Sequence, residues 1–339
     1  MDKLGVGIVG CGWVAGEHIK AFTADGRAEV RALADADKAH AQNYKDKFNL
    51  NCKIHTDIDS LLAQDDVDIV VICTPNHLHA EQSIAVAQAK KHVVIEKPCA
   101  ITLESLKAQH LAVKDNGVKS LVGFVLRFNP LLQAIDSVIE KGSLGNIFAV
   151  EVDYLHRIWM DRNEKWYANK DQSGTALLLA GCHAIDALRW FSRSEVQEVT
   201  AYHLNTENPL EFPGTISVNA KFADGKIGRS LTSFDLNMPY RFNIGVYGTR
   251  GAIRNDEMFL PDTFKGQNDF LKLPCALPDS GDVTHHPFTG QASYFIDSII
   301  NDTPVSIDMA DAYKTHLVCM AADISAQQNG KPVKISDLL

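Results

Sequence analysis

No run of about 18 apolar residues occurs anywhere in the chain, so an ordinary membrane-spanning helix is excluded. The opening MDKLGVGIVG lacks a basic segment followed by a long apolar one, and the reading is of a cytoplasmic protein without a signal peptide. Positive charge is in deficit. Lys and Arg total 33 against 42 Asp and Glu, for a net charge of -9, which argues against nucleic acid as a partner. No CxxC pair occurs, and the seven cysteines (11, 52, 73, 99, 182, 275, 319) are odd in number; several lie in apolar runs, such as Cys73 in DIVVICTP. They read as buried, reduced thiols rather than a disulfide framework or a zinc site. Internal repeats and low-complexity tracts are also missing. What is present is ample apolar content, 45% of 339 residues, enough for a sizeable core and for two domains.

The first 120 or so residues alternate short, near-continuous apolar runs with helical patterns. LGVGIVG (4–10), VRALAD (30–35), CKIHT (52–56), VDIVVICT (67–74) and HVVIEKP (92–98) read as strands, and KSLVGFVLRF (119–128) is apolar again. Residues 14–24, 38–48, 58–64, 79–90 and 103–117 read as helices. Continuous hydrophobicity in strands separated by helices means a parallel sheet covered on both faces. Beyond Pro130 the rhythm changes. A helix over 131–142 is followed by longer, often alternating strands at 146–157, 198–206, 214–222, 225–235 and 240–249, with helices at 174–192 and 310–330. That pattern predicts a large, mostly antiparallel open sheet. The fold expected is α/β: a doubly wound Rossmann domain over 1–123 and a sheet domain over 124–339.

GIVGCGWVAG (7–16) holds Gly10-x-Gly12-x-x-Ala15 directly after one predicted strand and at the start of a helix. One glycine permits the tight turn, the second lets backbone approach a pyrophosphate, and a small third residue lets helix and strand pack closely. The helix N-terminus adds N–H groups and positive potential. Gly10, Gly12, Trp13, Val14 and Ala15 are therefore the phosphate-side candidates. Asp35 ends the second strand, where a carboxylate accepts hydrogen bonds from the adenosine ribose. Its charge repels a 2′-phosphate, Ala36 and Asp37 bring no cation, and Lys38 is the first. NAD is expected over NADP. The plain alternative is an ordinary βα turn with a surface acid.

With that turn, CTPNHLHAEQSIAVAQAKKHVVIEKP (73–98) resembles the Gfo/Idh/MocA family of sugar and polyol dehydrogenases along nearly the whole chain. The resemblance implies that Thr74, Pro75, Asn76 and His79 lie near the cofactor and Glu96 near its nicotinamide ribose. It implies that Lys97 meets the substrate hydroxyl, with Pro98 commonly in a cis bond. Strand carboxyl ends line the ligand crevice of a doubly wound sheet, which agrees for Thr74 and Lys97. The competing reading of Lys97 is a strand-end lysine reaching solvent.

GTALLLAGCHAIDALRWF (174–191) resembles the family's catalytic helix, with His183 as the proton-accepting histidine. The family usually carries an aspartate four residues earlier; here that position is Leu179. Leucine cannot orient an imidazole, although an unassisted one still serves as a base near neutrality. Asp186 is a candidate substitute. Arg127 and Asn129, in VLRFNP, follow the last Rossmann strand where the resemblance places the nicotinamide and substrate; a salt bridge between domains is the alternative for Arg127. Tyr154, His156, Arg157, Trp166 and Tyr167 suit sugar binding or simple packing. His285 and His286 are adjacent and lack ligand-spaced partners, so no metal is expected.

These readings converge on an NAD-dependent dehydrogenase for a secondary alcohol of a sugar, sugar derivative or cyclitol, assembled as a homodimer or homotetramer through its open sheet. Neither nucleic acid nor membrane is an expected partner. Two rivals stand beside it: an enzyme that holds NAD tightly for elimination or glycoside cleavage, and a non-catalytic dinucleotide sensor.

Overall fold

The structure, a computed structural model, describes residues 3–157, 165–206, 208–275 and 286–339. Along the chain run β1 (Leu4–Val9), α1 (Trp13–Asp25), β2 (Ala28–Ala34), α2 (Lys38–Lys47), β3 (Lys53–His55), α3 (Ile58–Leu62), β4 (Ile69–Ile72), α4 (His79–Gln88), β5 (His92–Ile95), α5 (Leu103–Asn116) and β6 (Ser120–Val122). They are followed by α6 (Pro130–Glu140), β7 (Ile147–Leu155), the short α7 (Lys170–Ser173), α8 (Cys182–Ser192), β8 (Val196–Leu204), β9 (Thr215–Phe222), β10 (Ile227–Ser233) and β11 (Arg241–Gly248). Last come β12 (Ala252–Arg254), β13 (Glu257–Phe259), β14 (Leu271–Lys272), α9 (Phe288–Ile300), α10 (Met309–Gln327) and β15 (Val333–Lys334). The chain forms two compact units. One comprises 1–125, 171–173 and 287–314, and the other 126–170, 174–286 and 315–339. Residues 287–314 thus pack with the first unit, which a single cut after 123 does not foresee.

The first unit is built on a six-stranded sheet in the order β3-β2-β1-β4-β5-β6, parallel throughout. Every residue of β4 is buried, as are Val6, Ile8, Val93, Val94 and Ile95 in the neighbouring strands. Strands covered on both faces have no polar side to show, which is why the sequence reads as unbroken apolar runs. Thr102 caps α5 by accepting the Ser105 N–H, and Gly117 closes that helix at φ 65°. α9 lies along α1. Asp25 accepts the Ser293 hydroxyl at 2.5 Å, and Arg27 pairs with both Asp25 and Asp297. The order of strands reverses at β1/β4, and in such sheets ligands bind beyond the carboxyl ends at that point.

The second unit carries a nine-stranded sheet in the order β14-β13-β12-β11-β7-β10-β9-β8-β15. The β7–β10 pair is parallel and all others are antiparallel. Burial alternates along β9, as expected of a sheet with one covered face. α8 packs on β7, β10 and β11. Its approach is close: a Cβ on Gly181 would lie 2.5 Å from the Thr232 Oγ1 of β10. A side chain there would push the helix off the sheet. Residues 174–192 are not one regular helix. Leu177–Gly181 form a π turn that leads into α8, a local widening often found at functional sites.

Candidate functional site

The β1–α1 turn has the geometry of a phosphate cradle. Gly10 adopts φ 87°, and a Cβ on it would stand 2.8 Å from the Cys73 carbonyl group, so the turn crosses hard against the end of β4. Open space lies over Gly12, with no atom within 4 Å of where its Cβ would be. No side chain caps the N-terminus of α1. The N-terminal end of its dipole thus faces that space, with the Ala15 N–H turned back to the Gly12 carbonyl at 3.1 Å. Ala15 is fully buried, as helix–strand contact requires, and the Tyr44 hydroxyl donates to the Gly12 carbonyl at 2.8 Å, fixing the turn from α2. Val14 and the half-exposed Trp13 complete the first turn. Asp35, directly after β2, accepts the Cys11 N–H at 2.7 Å on one oxygen and the Asp37 N–H at 2.9 Å on the other. It therefore stands beside the turn with acceptor capacity to spare. Burial above all, with the nearby Asp35 and Cys52, pushes the Cys11 thiol up to about 12, so it is no nucleophile. These residues fit a dinucleotide: room at the phosphates, donors, and an acid at the ribose position.

The next two strand ends flank the same edge of the sheet. After β4, the Thr74 hydroxyl donates to Gln82 at 2.6 Å, Pro75 precedes a short 3-10 turn, and the buried Asn76 amide donates to the Ser173 carbonyl at 2.9 Å. His79 is buried, and its two ring nitrogens lie 2.7 Å from the Pro98 and Thr74 carbonyls. It clips the β4 and β5 ends together. Burial pulls this imidazole below its ordinary value, against the opposing pull of both carbonyls and of Glu96. A neutral ring donates to one of the carbonyls, a charged ring to both. After β5, the Glu96 carboxylate is 8% exposed and lies 2.8 Å from His18 Nε2. Burial would raise its pKa, but the hydrogen bond and charge of His18, with Lys97 and His79, bring it below the usual value. Lys97 follows, and the Lys97–Pro98 peptide is cis.

In the second unit His183 lies in the first turn of α8, is 7% exposed, and stacks on Tyr154 of β7 at 6.4 Å and 14°. Tyr154 in turn contacts His156 and Tyr240, an aromatic wall that holds the imidazole plane. Burial raises the Tyr154 phenol. The half-buried Leu179 sits inside the π turn, so the simple four-residue spacing to His183 does not hold there. Asp186 is engaged elsewhere. Arg127 binds both its oxygens, at 2.6 and 2.7 Å, while lying over the Trp190 ring, and the Thr315 hydroxyl adds a bond at 3.2 Å. Arg127 thus makes a salt bridge inside the second unit. Asn129 caps α6 by accepting the Leu131 N–H, with Pro130 at the first helical position. The exposed Arg157 pairs its backbone with Asp235 in an isolated antiparallel β-bridge, and its side chain donates to Asn237 at 3.1 Å. Trp166 and Tyr167 meet edge to face. His285 lies outside the described residues, and among those described no His, Cys, Asp or Glu group is arranged to hold a metal.

Three participants escaped the sequence reading. His18 was one polar residue among many in a helix pattern. Thr175 and Asp323 are 148 residues apart, yet the Thr175 hydroxyl donates to Asp323 at 2.7 Å at the entry to the π turn. Burial raises the Asp323 carboxyl to about 7, opposed by Thr175 and by the charge of Lys170.

Comparison with known proteins agrees with this geometry. The family model GFO_IDH_MocA, described as an oxidoreductase family with an NAD-binding Rossmann fold, matches residues 4–124, and the GFO/IDH/MocA C-terminal domain model matches 132–254. Levoglucosan dehydrogenase of Pseudarthrobacter phenanthrenivorans is 31% identical over 270 residues, 75% of this chain and 68% of the relative. Inositol 2-dehydrogenase of Rhizobium meliloti is 29% identical over 261 residues, 73% of this chain and 74% of the relative. A solved levoglucosan dehydrogenase in complex with NADH and levoglucosan superposes with a TM-score of 0.88 at 26% identity, covering 98% of this chain and all of that one.

Two outcomes follow from this geometry. Asp35→Ala should weaken NADH by at least about tenfold, the scale of a hydrogen bond to a charged acceptor, and weaken NADPH much less. Fluorescence titration reads both, and an unchanged preference between them would contradict the assignment. For Asp323, the folded carboxyl titrates at about 7 and an ordinary Asp carboxyl at 3.8, so between those values the folded state keeps a proton the unfolded chain has lost. Its contribution to stability therefore falls as pH rises between those values. Asp323→Asn keeps the acceptor for Thr175, so its gain in Tm over the parent should be larger at about pH 8 than at about pH 5. Equal gains at both would refute the raised value.

Proposed function

The chain belongs to the GFO/IDH/MocA oxidoreductases with an NAD-binding Rossmann domain, and from that premise we propose that it oxidises a secondary alcohol on a sugar, sugar derivative or cyclitol. The observation that carries the reading is the position of Lys97: immediately past β5, on the sheet edge that also bears Gly10–Gly12 and Thr74–Asn76. The likeness to levoglucosan dehydrogenase and inositol 2-dehydrogenase supports the substrate class.

In this proposal the Lys97 ammonium donates to the carbinol oxygen and stabilises the negative charge that develops on it. His183, backed by Tyr154, takes the hydroxyl proton. NAD supplies the hydride acceptor when bound. One hydride and one proton leave the alcohol, and a carbonyl remains. Glu96 and His79 hold the strand ends from behind, while Asp35 selects the unphosphorylated ribose. Arg127 and Asp186 serve as a fixed pair that anchors α8, and Tyr154, Arg157 and Trp166 border the sugar. The exposed Phe148, Tyr202 and Ile227 on the open sheet support assembly into a dimer or tetramer through that surface. The described cysteines, none of them in a disulfide, suit the reducing cytoplasm.

The test is NADH absorbance with a panel of anhydrosugars including levoglucosan, inositols, aldoses and amino sugars, each with NAD and with NADP. At least one should be oxidised, faster with NAD. Lys97→Met should then lower kcat by about a hundredfold or more while NADH affinity stays within about twofold. Product without net NADH would favour the elimination reading. Full turnover by Lys97→Met would remove Lys97 from the mechanism.

A further inference from the structure

We propose that His18 is a positioning residue for Lys97, acting through the Glu96 carboxylate. The inference rests on Lys97 being the group that meets the substrate oxygen.

The geometry forms a continuous path within the first unit. α1 leaves the phosphate turn at Trp13, and His18 lies on its buried face, 2% exposed. His18 Nε2 stands 2.8 Å from Glu96 Oε1. An ionised carboxylate only accepts, so Nε2 is the donor in this contact. The other oxygen, Oε2, accepts the backbone N–H of Lys97 at 3.3 Å. The imidazole is itself oriented: the Phe288 ring of α9 meets it edge-on at 5.0 Å and 76°. The β6 end runs close beside the carboxylate. A Cβ on Gly123 would be 3.1 Å from three of its atoms, so any side chain there would crowd the carboxylate. Backbone bonds pin both neighbours, with Glu96 N–H donating to Ile72 at 3.1 Å and Gly123 N–H to Ile95 at 2.8 Å.

Each link has a physical reason to persist. A carboxylate this deep requires donors, and losing one leaves an uncompensated charge. With His18 in place, Glu96 has one rotamer that satisfies both donors, and that rotamer sets the backbone from which the lysine projects. Without it, Glu96 must find another partner, and the Lys97 N–H loses its acceptor. A displacement of about 1 Å at a reacting group is enough to cost about a hundredfold in rate. The alternative is a buried pair that stabilises the unit and does nothing for Lys97.

The test compares His18→Leu, His18→Gln (whose amide can replace the Nε2–H donor), Lys97→Met and the His18→Leu/Lys97→Met double variant. In NAD-free protein, deuterium exchange at the peptide spanning residues 93–103 should quicken about tenfold or more in His18→Leu, with peptides of β1 and β4 unchanged. On the best panel substrate, kcat should fall about a hundredfold with NADH affinity within about twofold. His18→Gln should recover most of both. In the Lys97→Met background the His18 change should cost nothing further, because a group that acts through Lys97 has nothing left to act on.

Unchanged exchange in the 93–103 peptide overturns the proposal, and so does quickened exchange throughout the first unit. A full additional loss in the double variant overturns it too, showing that His18 acts elsewhere. Should His18→Leu fail to fold, Glu96→Gln, which keeps the shape and removes the charge, answers to the same exchange and turnover criteria. Turnover surviving Lys97→Met refutes the Lys97 assignment. An inactive Lys97→Met beside a fully active His18→Leu refutes only the link drawn here.

Discussion

Burying the Glu96 carboxylate among apolar strand ends costs several kcal/mol unless donors meet it, and two donors do: His18 from α1 and the Lys97 N–H beside it. Much of the first unit follows from satisfying that charge. α1 has to run close to the end of β5, so the turn feeding it must cross hard against β4. Gly10 makes that crossing possible, since any Cβ would strike the Cys73 carbonyl. α9 then lies along α1, where Phe288 holds the imidazole plane and Ser293 and Asp297 engage Asp25 and Arg27. The arrangement that solves a desolvation problem also puts the phosphate cradle, Asn76 and Lys97 at one edge of one sheet.

The second unit answers a different constraint. His183 must be presented by a helix that grips a sheet closely. Gly181 lets the backbone reach Thr232, and the π turn before it alters which side chains share a face. The carboxylates of this region are committed to structure: Asp186 to Arg127 and Thr315, Asp323 to Thr175. Leu179 occupies the place where the resemblance to the family implies an acid, and Tyr154 orients the imidazole by stacking on it. An imidazole stacked in an aromatic wall has its plane held by the rings around it.

The sequence made the doubly wound sheet legible because strands buried on both faces leave no ambiguity of period, and the phosphate turn because its glycines have steric reasons to be there. Lys97 and Asp35 were legible as strand-end residues. The edge strands β12, β13 and β14 were not: two or three residues cannot establish an alternation. α9 went unread, as did its place in the first unit, because contacts across 270 positions leave no local trace. For the same reason His18 looked like any polar helix residue until Glu96 was seen 78 positions away. Arg127 and Asp186 carried functional expectations from their neighbours in sequence, whereas their shared salt bridge could be seen only in three dimensions.

The central claim is that hydrogen leaves the alcohol carbon as hydride and stays on NAD. A substrate deuterated at its reactive carbinol carbon, incubated with the protein and NAD and analysed by mass spectrometry, addresses that directly. The account predicts deuterium in the recovered NADH, one label per carbonyl formed. Turnover that leaves the recovered cofactor unlabelled, with deuterium retained in the product, would contradict it.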